Sequence, residues 1–261
     1  MKALKVGDQI ELHIETLSYG GGRGVGRHQG FVFFIPYSAP GDQVLAEITF
    51  LKKSFGEAKI LKVLKASPYR TQPLCPSFGE CGGCRFQHVT YEEQLRQKDR
   101  YIEKALRGLA INKIHHIIPS PRPFHYRNRI QVHIRESQFG FLEAKSDRLV
   151  PIRGCHIAEE PIHSFLSSLE ACHKLTSKAA NKVELAIDQM GQLHFKGVEE
   201  SAMFTQFSQV NRFQNENLVK KIVDWAEQSF EQLDSKLVQV LDLYAGSGNL
   251  SFPLYRALKL P

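Results

Sequence analysis

The chain has 261 residues, 42% of them hydrophobic and 23% charged, with a formal net charge of +7. Such a composition fits two compact domains or three small ones, and no apolar run approaches the length of a membrane span. Residues Met1 to Asp8 hold no apolar signal core, so a cytoplasmic protein is expected, one whose five cysteines do not serve as disulfides.

Residues 1–65 read as a small all-β domain. Ile10, Leu12 and Ile14 alternate with Glu11, His13 and Glu15, the period of a half-buried strand. Phe31 to Ile35 is a short apolar run, Val44, Ala46 and Ile48 alternate again, and Ile60 to Leu64 makes a further strand. Between them, Gly20 to Arg27 and Pro40-Gly41-Asp42 read as turns. Four or five short strands with glycine-rich corners predict an OB-like barrel. No helix pattern follows the Gly20–Arg27 stretch, which argues against a phosphate loop there.

Ser67 to Pro76 is a linker, and it opens onto Cys75-Pro-Ser-Phe-Gly-Glu-Cys81-Gly-Gly-Cys84. The Cys-x-x-Cys spacing lets one tight turn aim two thiolates at a common point. The two glycines leave backbone N–H groups able to turn toward sulfur. Cys155, in Arg-Gly-Cys-His, is the candidate fourth ligand beside Cys75, Cys81 and Cys84. Four thiolates suit an iron–sulfur cluster or structural zinc. Cys172 is left over and is expected to be a small buried hydrophobe.

Tyr91 to Leu109 predicts a helix with Tyr91, Leu95, Ile102, Ala105, Leu106 and Leu109 on its apolar face. From Arg96 to Arg135 ten basic residues stand against two acids, Asp99 and Glu103, a net +8 that accounts for the whole excess charge. Such concentration favours a polyanion. After a proline-broken connection, Ile130, Val132 and Ile134 alternate with Arg129, Gln131, His133 and Arg135. A strand edge with that cationic face, together with Arg127, suits RNA phosphates and base edges. Phe213, Leu218, Ile222, Trp225, Ala226 and Phe230 then carry a helical stripe, closed by Asp234-Ser235. An apolar strand, Leu237 to Leu243, runs into Ala245-Gly-Ser-Gly248-Asn249 and a helix, the entry to a doubly wound α/β domain. Asp242 precedes the turn, where its carboxylate can organise the loop. The pattern fits an S-adenosylmethionine loop better than a dinucleotide loop, which would carry Gly-x-Gly-x-x-Gly.

With these motifs in place, the chain resembles the RNA 5-methyluridine methyltransferases that carry a TRAM domain and a four-iron cluster, and most of all the bacterial 23S ribosomal RNA uracil-5-methyltransferases. The resemblance rests on Gly24-Val-Gly-Arg27, Pro40-Gly41-Asp42, the four cysteines, Phe207-Ser-Gln209-Val-Asn211 and Asp242 to Asn249. It implies an α+β multidomain protein: an OB-like TRAM barrel over 1–65, a central α/β iron–sulfur and RNA-binding domain over 66–202, and the start of a class I Rossmann-like methyltransferase domain over 203–261. One expectation places the helix of 91–109 against the catalytic domain. By the resemblance, Cys75, Cys81, Cys84 and Cys155 hold a [4Fe-4S] cluster. Gln209, Asp242, Tyr244, Gly246, Gly248 and Asn249 meet S-adenosylmethionine, although Gln209 and Asn211 could equally cap the following helix.

The implied reaction adds a cysteine thiolate to carbon 6 of uracil, which makes carbon 5 nucleophilic toward the sulfonium methyl. A carboxylate base then removes the carbon 5 proton from a base flipped out of its RNA fold. In the family the nucleophilic cysteine and the base come after the cofactor motif, so this chain is expected to lack both and to be inactive alone. Ribosomal RNA is favoured over transfer RNA as partner, and a monomer is expected. A non-catalytic RNA-binding iron–sulfur protein is the alternative. A radical S-adenosylmethionine enzyme is disfavoured, because Cys-x-x-x-Cys-x-x-Cys is absent.

Overall fold

The computed structural model describes residues 4–19, 21–111, 113–176, 180–197, 208–231 and 240–258. They divide into two compact units, residues 1–117 with 142–150, and residues 118–141 with 151–261.

The first unit is built on a closed barrel. Its strands are β1 (Gln9–Leu17), β2 (Gly24–His28), β3 (Phe31–Ile35), β4 (Gln43–Leu51) and β5 (Phe55–Lys65), in the order β1-β2-β3-β5-β4. All neighbours are antiparallel except β3 and β5, which run parallel. The alternation seen in the sequence points inward: Ile10, Leu12, Ile14, Phe33, Ile35, Val44, Ala46, Ile48 and Ala58 form one buried core. Each large apolar side chain sealed there contributes about 1.5–3 kcal/mol.

The stretch expected as a turn, Gly20 to Arg27, instead contributes β2 from Gly24 onward. Its glycines are required by close approach rather than by bending. A Cβ on Gly24 would lie 1.9 Å from Ser38 Oγ, and one on Gly26 would lie 2.7 Å from the carbonyl oxygen of His13.

Helix α1 (Tyr91–Ala105) ends four residues before the predicted limit. Its buried residues are Glu93 and Gln97, while Ile102 and Leu109 of the predicted apolar face are exposed. The reason is polar docking onto the barrel. Gln97 Oε1 accepts from Thr16 Oγ1 at 2.7 Å and from the Leu17 amide at 3.0 Å. Gln97 in turn donates to Glu93 at 2.6 Å, and Arg96 pairs with Glu93 at 2.9 Å. Tyr101 stacks on Tyr19, with ring centroids 3.9 Å apart.

In the second unit β6 (Arg129–Arg135) pairs antiparallel with β7 (Gln138–Leu142) on one side and β9 (Lys182–Ile187) on the other. Strand β8 is Leu149–Pro151, and β10 (Leu193–Gly197) adds to β9. Two short helices, α2 (Glu160–Ser167) and α3 (Leu169–Thr176), precede β9, and Ile162, Leu166, Ala171, Leu175, Val183 and Leu185 are buried. Helix α4 (Arg212–Phe230) and helix α5 (Ser251–Leu258) follow. Residues 240–243 lie in no strand, so the predicted strand does not form in its described part; residues 237–239, Asp234, Ser235 and Phe207 lie outside the described residues. No described helix is long and apolar enough to cross a membrane.

Candidate functional site

In the first unit the cysteine loop is fixed by backbone hydrogen bonds at both ends. The Cys75 amide donates to Gln87 Oε1 at 3.0 Å, and the Phe78 amide closes a turn onto the Cys75 carbonyl at 3.1 Å. The Cys81 amide reaches the Ser77 carbonyl at 2.9 Å, and the Gly82 amide reaches the Leu142 carbonyl at 2.9 Å. The Gly83 amide points at Cys81 Sγ, 3.4 Å away, the N–H···S contact expected of a Cys-Gly-Gly-Cys turn. A Cβ on Gly82 would sit 3.0 Å from the backbone of Leu142 and Ala144, so a larger residue there would have to push that backbone back by a few tenths of an ångström. None of Cys75, Cys81, Cys84 and Cys155 is in a disulfide. Among the described residues, no group of three or more His, Cys, Asp or Glu is arranged to hold a metal ion. The loop therefore has the donor set and the turn of a thiolate site without a converged cage.

Cys155 lies in the second unit and is buried. Its amide donates to His163 Nδ1 at 3.1 Å. His156 and His163 stand 4.7 Å apart between ring centroids, with His125 5.3 Å from His163. Burial and the two neighbouring imidazoles hold His156 below its ordinary range. Gly154 before Cys155 has φ +136°, and a Cβ there would lie 2.8 Å from the His163 ring. The Cys172 side chain lies outside the described residues.

The glycine turn of the second unit forms as its sequence demands. Gly246 (φ +57°) and Gly248 (φ +76°) both adopt left-handed backbone, and a Cβ on Gly248 would lie 2.5 Å from the Phe252 ring. Asp242 Oδ2 accepts from Ser251 Oγ at 2.5 Å, tying the start of the turn to the first residue of α5. Asn249 and Asn215 of α4 exchange side-chain amide hydrogen bonds at 2.9 Å in both directions. Tyr244 is left-handed without being glycine (φ 62°), and its side chain is fully exposed. Gln209 is exposed in the segment before α4. Asn211 caps α4, accepting from the Gln214 amide at 2.9 Å, and donates to Ser120 Oγ at 3.1 Å. The capping alternative thus applies to Asn211.

The cationic strand differs from expectation in two respects. It is interior, paired on both sides, so Arg129, Gln131, His133 and Arg135 occupy a sheet face and not an edge. That face also carries an acid: Glu184 of β9 stands opposite Gln131 and accepts from its amide at 3.3 Å. Arg129 donates to Ser208 Oγ at 3.0 Å, a neutral partner. Arg127 is held in place by its backbone, its amide donating to the Ile157 carbonyl at 2.8 Å. Replacing Arg129 and Arg135 together with Ala is expected to reduce the salt dependence of RNA binding by at most about two units of log–log slope, with sequence preference retained. Titrating affinity against salt checks this, and an unchanged slope would place the phosphate contacts elsewhere.

The sequence pattern of the TRAM domain matches residues 3–61, the barrel just described. An uncharacterized RNA methyltransferase of Bdellovibrio bacteriovorus is 42% identical over 258 residues, covering 97% of this chain and 64% of that protein. The 23S rRNA (uracil(1939)-C(5))-methyltransferase RlmD of Haemophilus ducreyi is 28% identical, covering 93% of this chain and 66% of that protein. The crystal structure of Pyrococcus abyssi tRNA (uracil-54, C5)-methyltransferase in complex with S-adenosyl-L-homocysteine is similar in fold, with a TM-score of 0.64 at 21% identity over 94% of this chain and 70% of that one. The chain spans just under two thirds of the length of these two relatives. Over nearly its whole length the chain is similar to RNA methyltransferases, and residues 3–61 carry the sequence pattern of the TRAM domain.

Proposed function

We propose that the chain is the RNA-binding and methyl-donor-binding portion of an S-adenosylmethionine-dependent methyltransferase acting on carbon 5 of uridine, with 23S ribosomal RNA as substrate. The observation that carries this reading is the turn from Asp242 to Asn249. Two left-handed glycines bring bare backbone to the start of α5, Asp242 pins the turn, and Tyr244 is presented to solvent. Gln209, Asp242, Tyr244, Gly246, Gly248 and Asn249 are the residues assigned to the methyl donor, which supplies an electrophilic methyl group when bound. The two glycines, lacking side chains, let an amino-acid moiety approach the backbone of this loop closely. The RlmD relatives favour ribosomal RNA; the archaeal structural neighbour, named for a transfer RNA, supports the competing substrate.

For the cysteines, the reading is a [4Fe-4S] cluster of structural role. What supports it is the chemistry of the cysteine loop and not an assembled cage, since no described group of three or more ligands is arranged to hold a metal. Three thiols lie in one loop closed by glycines, a backbone N–H already points at sulfur, and no disulfide consumes them. Cys155 is the fourth thiolate that the sequence offers.

Nucleophile and base are assigned to none of the five cysteines or the carboxylates of this chain. Incubating the purified 261-residue chain with labelled S-adenosylmethionine and unmodified ribosomal RNA is therefore expected to give RNA binding but no 5-methyluridine. The corresponding Bdellovibrio relative at its full length is expected to transfer the label. Any 5-methyluridine made by the chain alone would overturn the assignment of nucleophile and base. If the full-length relative labels only transfer RNA, or only another position of the base, the substrate reading is wrong.

A further inference from the structure

Between the barrel and the cysteine loop, wholly within the first unit, lies a cleft of about 480 Å³ bounded by Tyr37, Arg70, Gln72, Phe78, Gly79 and His88. Its size falls in the ~300–1,000 Å³ range of small-ligand pockets. Three rings form its aromatic side. Tyr37 and Phe78 meet edge-to-face at 5.4 Å between centroids, Phe78 and His88 lie 5.5 Å apart, and Tyr37 and His88 6.2 Å apart.

The wall is rigid. Tyr37 sits in left-handed backbone (φ 60°), its carbonyl accepts from Arg70 Nη2 at 3.1 Å, and its hydroxyl donates to the Gly79 carbonyl at 3.3 Å. A strained non-glycine residue held by two hydrogen bonds is the kind of arrangement kept at ligand contacts. His88 is 2% exposed and its Nε2 faces the Ser38 carbonyl at 3.1 Å, which fixes the proton on that nitrogen. Nδ1 then carries a lone pair, and it has no partner among the described residues. That atom is closed to solvent, so His88 contributes its ring to the wall and not a polar contact.

The chemistry of the wall selects the class of ligand. A phosphate site would need free cations, but the guanidinium of Arg70 is already bound to Asp42 and to the Tyr37 carbonyl. What remains is close to neutral: aromatic rings, and the exposed amide and hydroxyl of Gln72 and Thr71 at the rim. Flat π-surfaces with a few convergent polar groups suit an unpaired nucleobase. We infer that this cleft is a subsite for one unpaired base of single-stranded RNA, stacked on the Tyr37–Phe78 wall and read at its polar edge by Gln72. The inference rests on the RNA reading above and deepens it. Because Phe78 and Gly79 belong to the cysteine loop, that loop would shape RNA recognition directly, through one wall of the subsite.

The test uses the purified chain with fluorescent single-stranded RNA of roughly 12 nucleotides, within the span of such binding surfaces. Phe78→Ala is expected to weaken binding about tenfold without altering the salt slope, because a stacking contact is lost and no phosphate contact. Gln72→Ala, an exposed change that leaves the wall intact, is expected to shift base preference with a smaller loss. Replacing one nucleotide at a time by an abasic residue should reveal a single position where wild type loses affinity and Phe78→Ala does not. Photocrosslinking of 5-iodouridine RNA to the wild-type chain should mark the peptides holding Tyr37 or Phe78, a readout independent of how the variants fold. Full affinity in both variants with crosslinks only on β6 would overturn the cleft assignment and leave RNA binding standing. Failure of the wild-type chain to bind any RNA would overturn both.

Discussion

Under the proposed cluster assignment, Cys81→Ser is expected to strip the protein of iron and of visible colour. Anaerobically purified chain should be brown and contain iron and sulfide, and the variant should be colourless. Cys81 is the pivot of the loop: its Sγ receives the Gly83 amide, its own amide binds Ser77, and it bridges to Glu143. A serine hydroxyl is a hard, weakly acidic ligand that does not replace a thiolate at iron. Because ligand binding and local folding are linked, losing one thiolate should also loosen what the site organises. The loss should be local. Amides of the loop, and the Gly82 amide bound to Leu142 above all, should exchange faster in hydrogen-exchange measurements, while barrel amides of β1 and β4 stay protected. Stoichiometric zinc without visible absorbance in the wild type would refute the iron–sulfur assignment. Iron retained by the variant would remove Cys81 from the ligand set.

How much of this was legible in the sequence depends on how local each determinant is. The inward faces of β1, β3 and β4 follow from strict alternation, a property of each segment alone. β2 was hidden because its glycines look like turn residues; they are there since Ser38 and the His13 carbonyl come too close for any Cβ, and that is a tertiary fact. Helix α1 was legible as a helix but not in its orientation. Ile102 faces outward and Tyr91 and Leu95 are only half-buried, while Glu93 and Gln97 are buried, Gln97 accepting from an amide 80 residues away. On β6 the alternation was readable and the acid opposite it was not, because register with β9 is set by pairing. The glycine turn was readable from Gly246 and Gly248, whereas the Asn215–Asn249 pair joins residues 34 apart and leaves no local signature. Residues 240–243 show the converse: an apolar run specifies a strand only where partner strands supply hydrogen bonds, and Leu241 and Leu243 remain exposed. The cleft went unseen for the same reason, since its rings come from three separate segments.

Asp42→Ala is expected to destabilise the barrel unit by about 1–3 kcal/mol, the cost of leaving the buried Ala39 and Ser67 amides unsatisfied beside a half-buried Arg70. Asp42 is completely buried and its carboxylate is saturated. It accepts from the Ala39 amide at 2.7 Å, the Ser67 amide at 2.9 Å, and Arg70 Nε and Nη2 at 3.2 and 2.5 Å. These bonds tie the β3–β4 corner to the segment leaving β5, so one side chain closes the barrel onto the cleft. Burial alone would raise its pKa, but the Arg70 guanidinium and the two amides outweigh it and hold the carboxyl below its ordinary range. The sign of the pH dependence follows. A carboxylate whose folded pKa is depressed contributes stability above its unfolded pKa, and that contribution disappears as pH falls through the folded value. Wild type should therefore lose barrel stability on acidification below the ordinary aspartate range, and Asp42→Ala should lack that component while being weaker at neutral pH. Arg70→Met leaves Asp42 buried with its two amides and should destabilise less than Asp42→Ala. The double variant should cost less than the two single changes added, since each removes the same pair. Hydrogen exchange at β1 and β4 amides, followed against pH, isolates this unit from the rest of the chain. A neutral-pH loss below about 1 kcal/mol, the value of an exposed ion pair, would show that the Asp42 cluster does not hold the barrel closed.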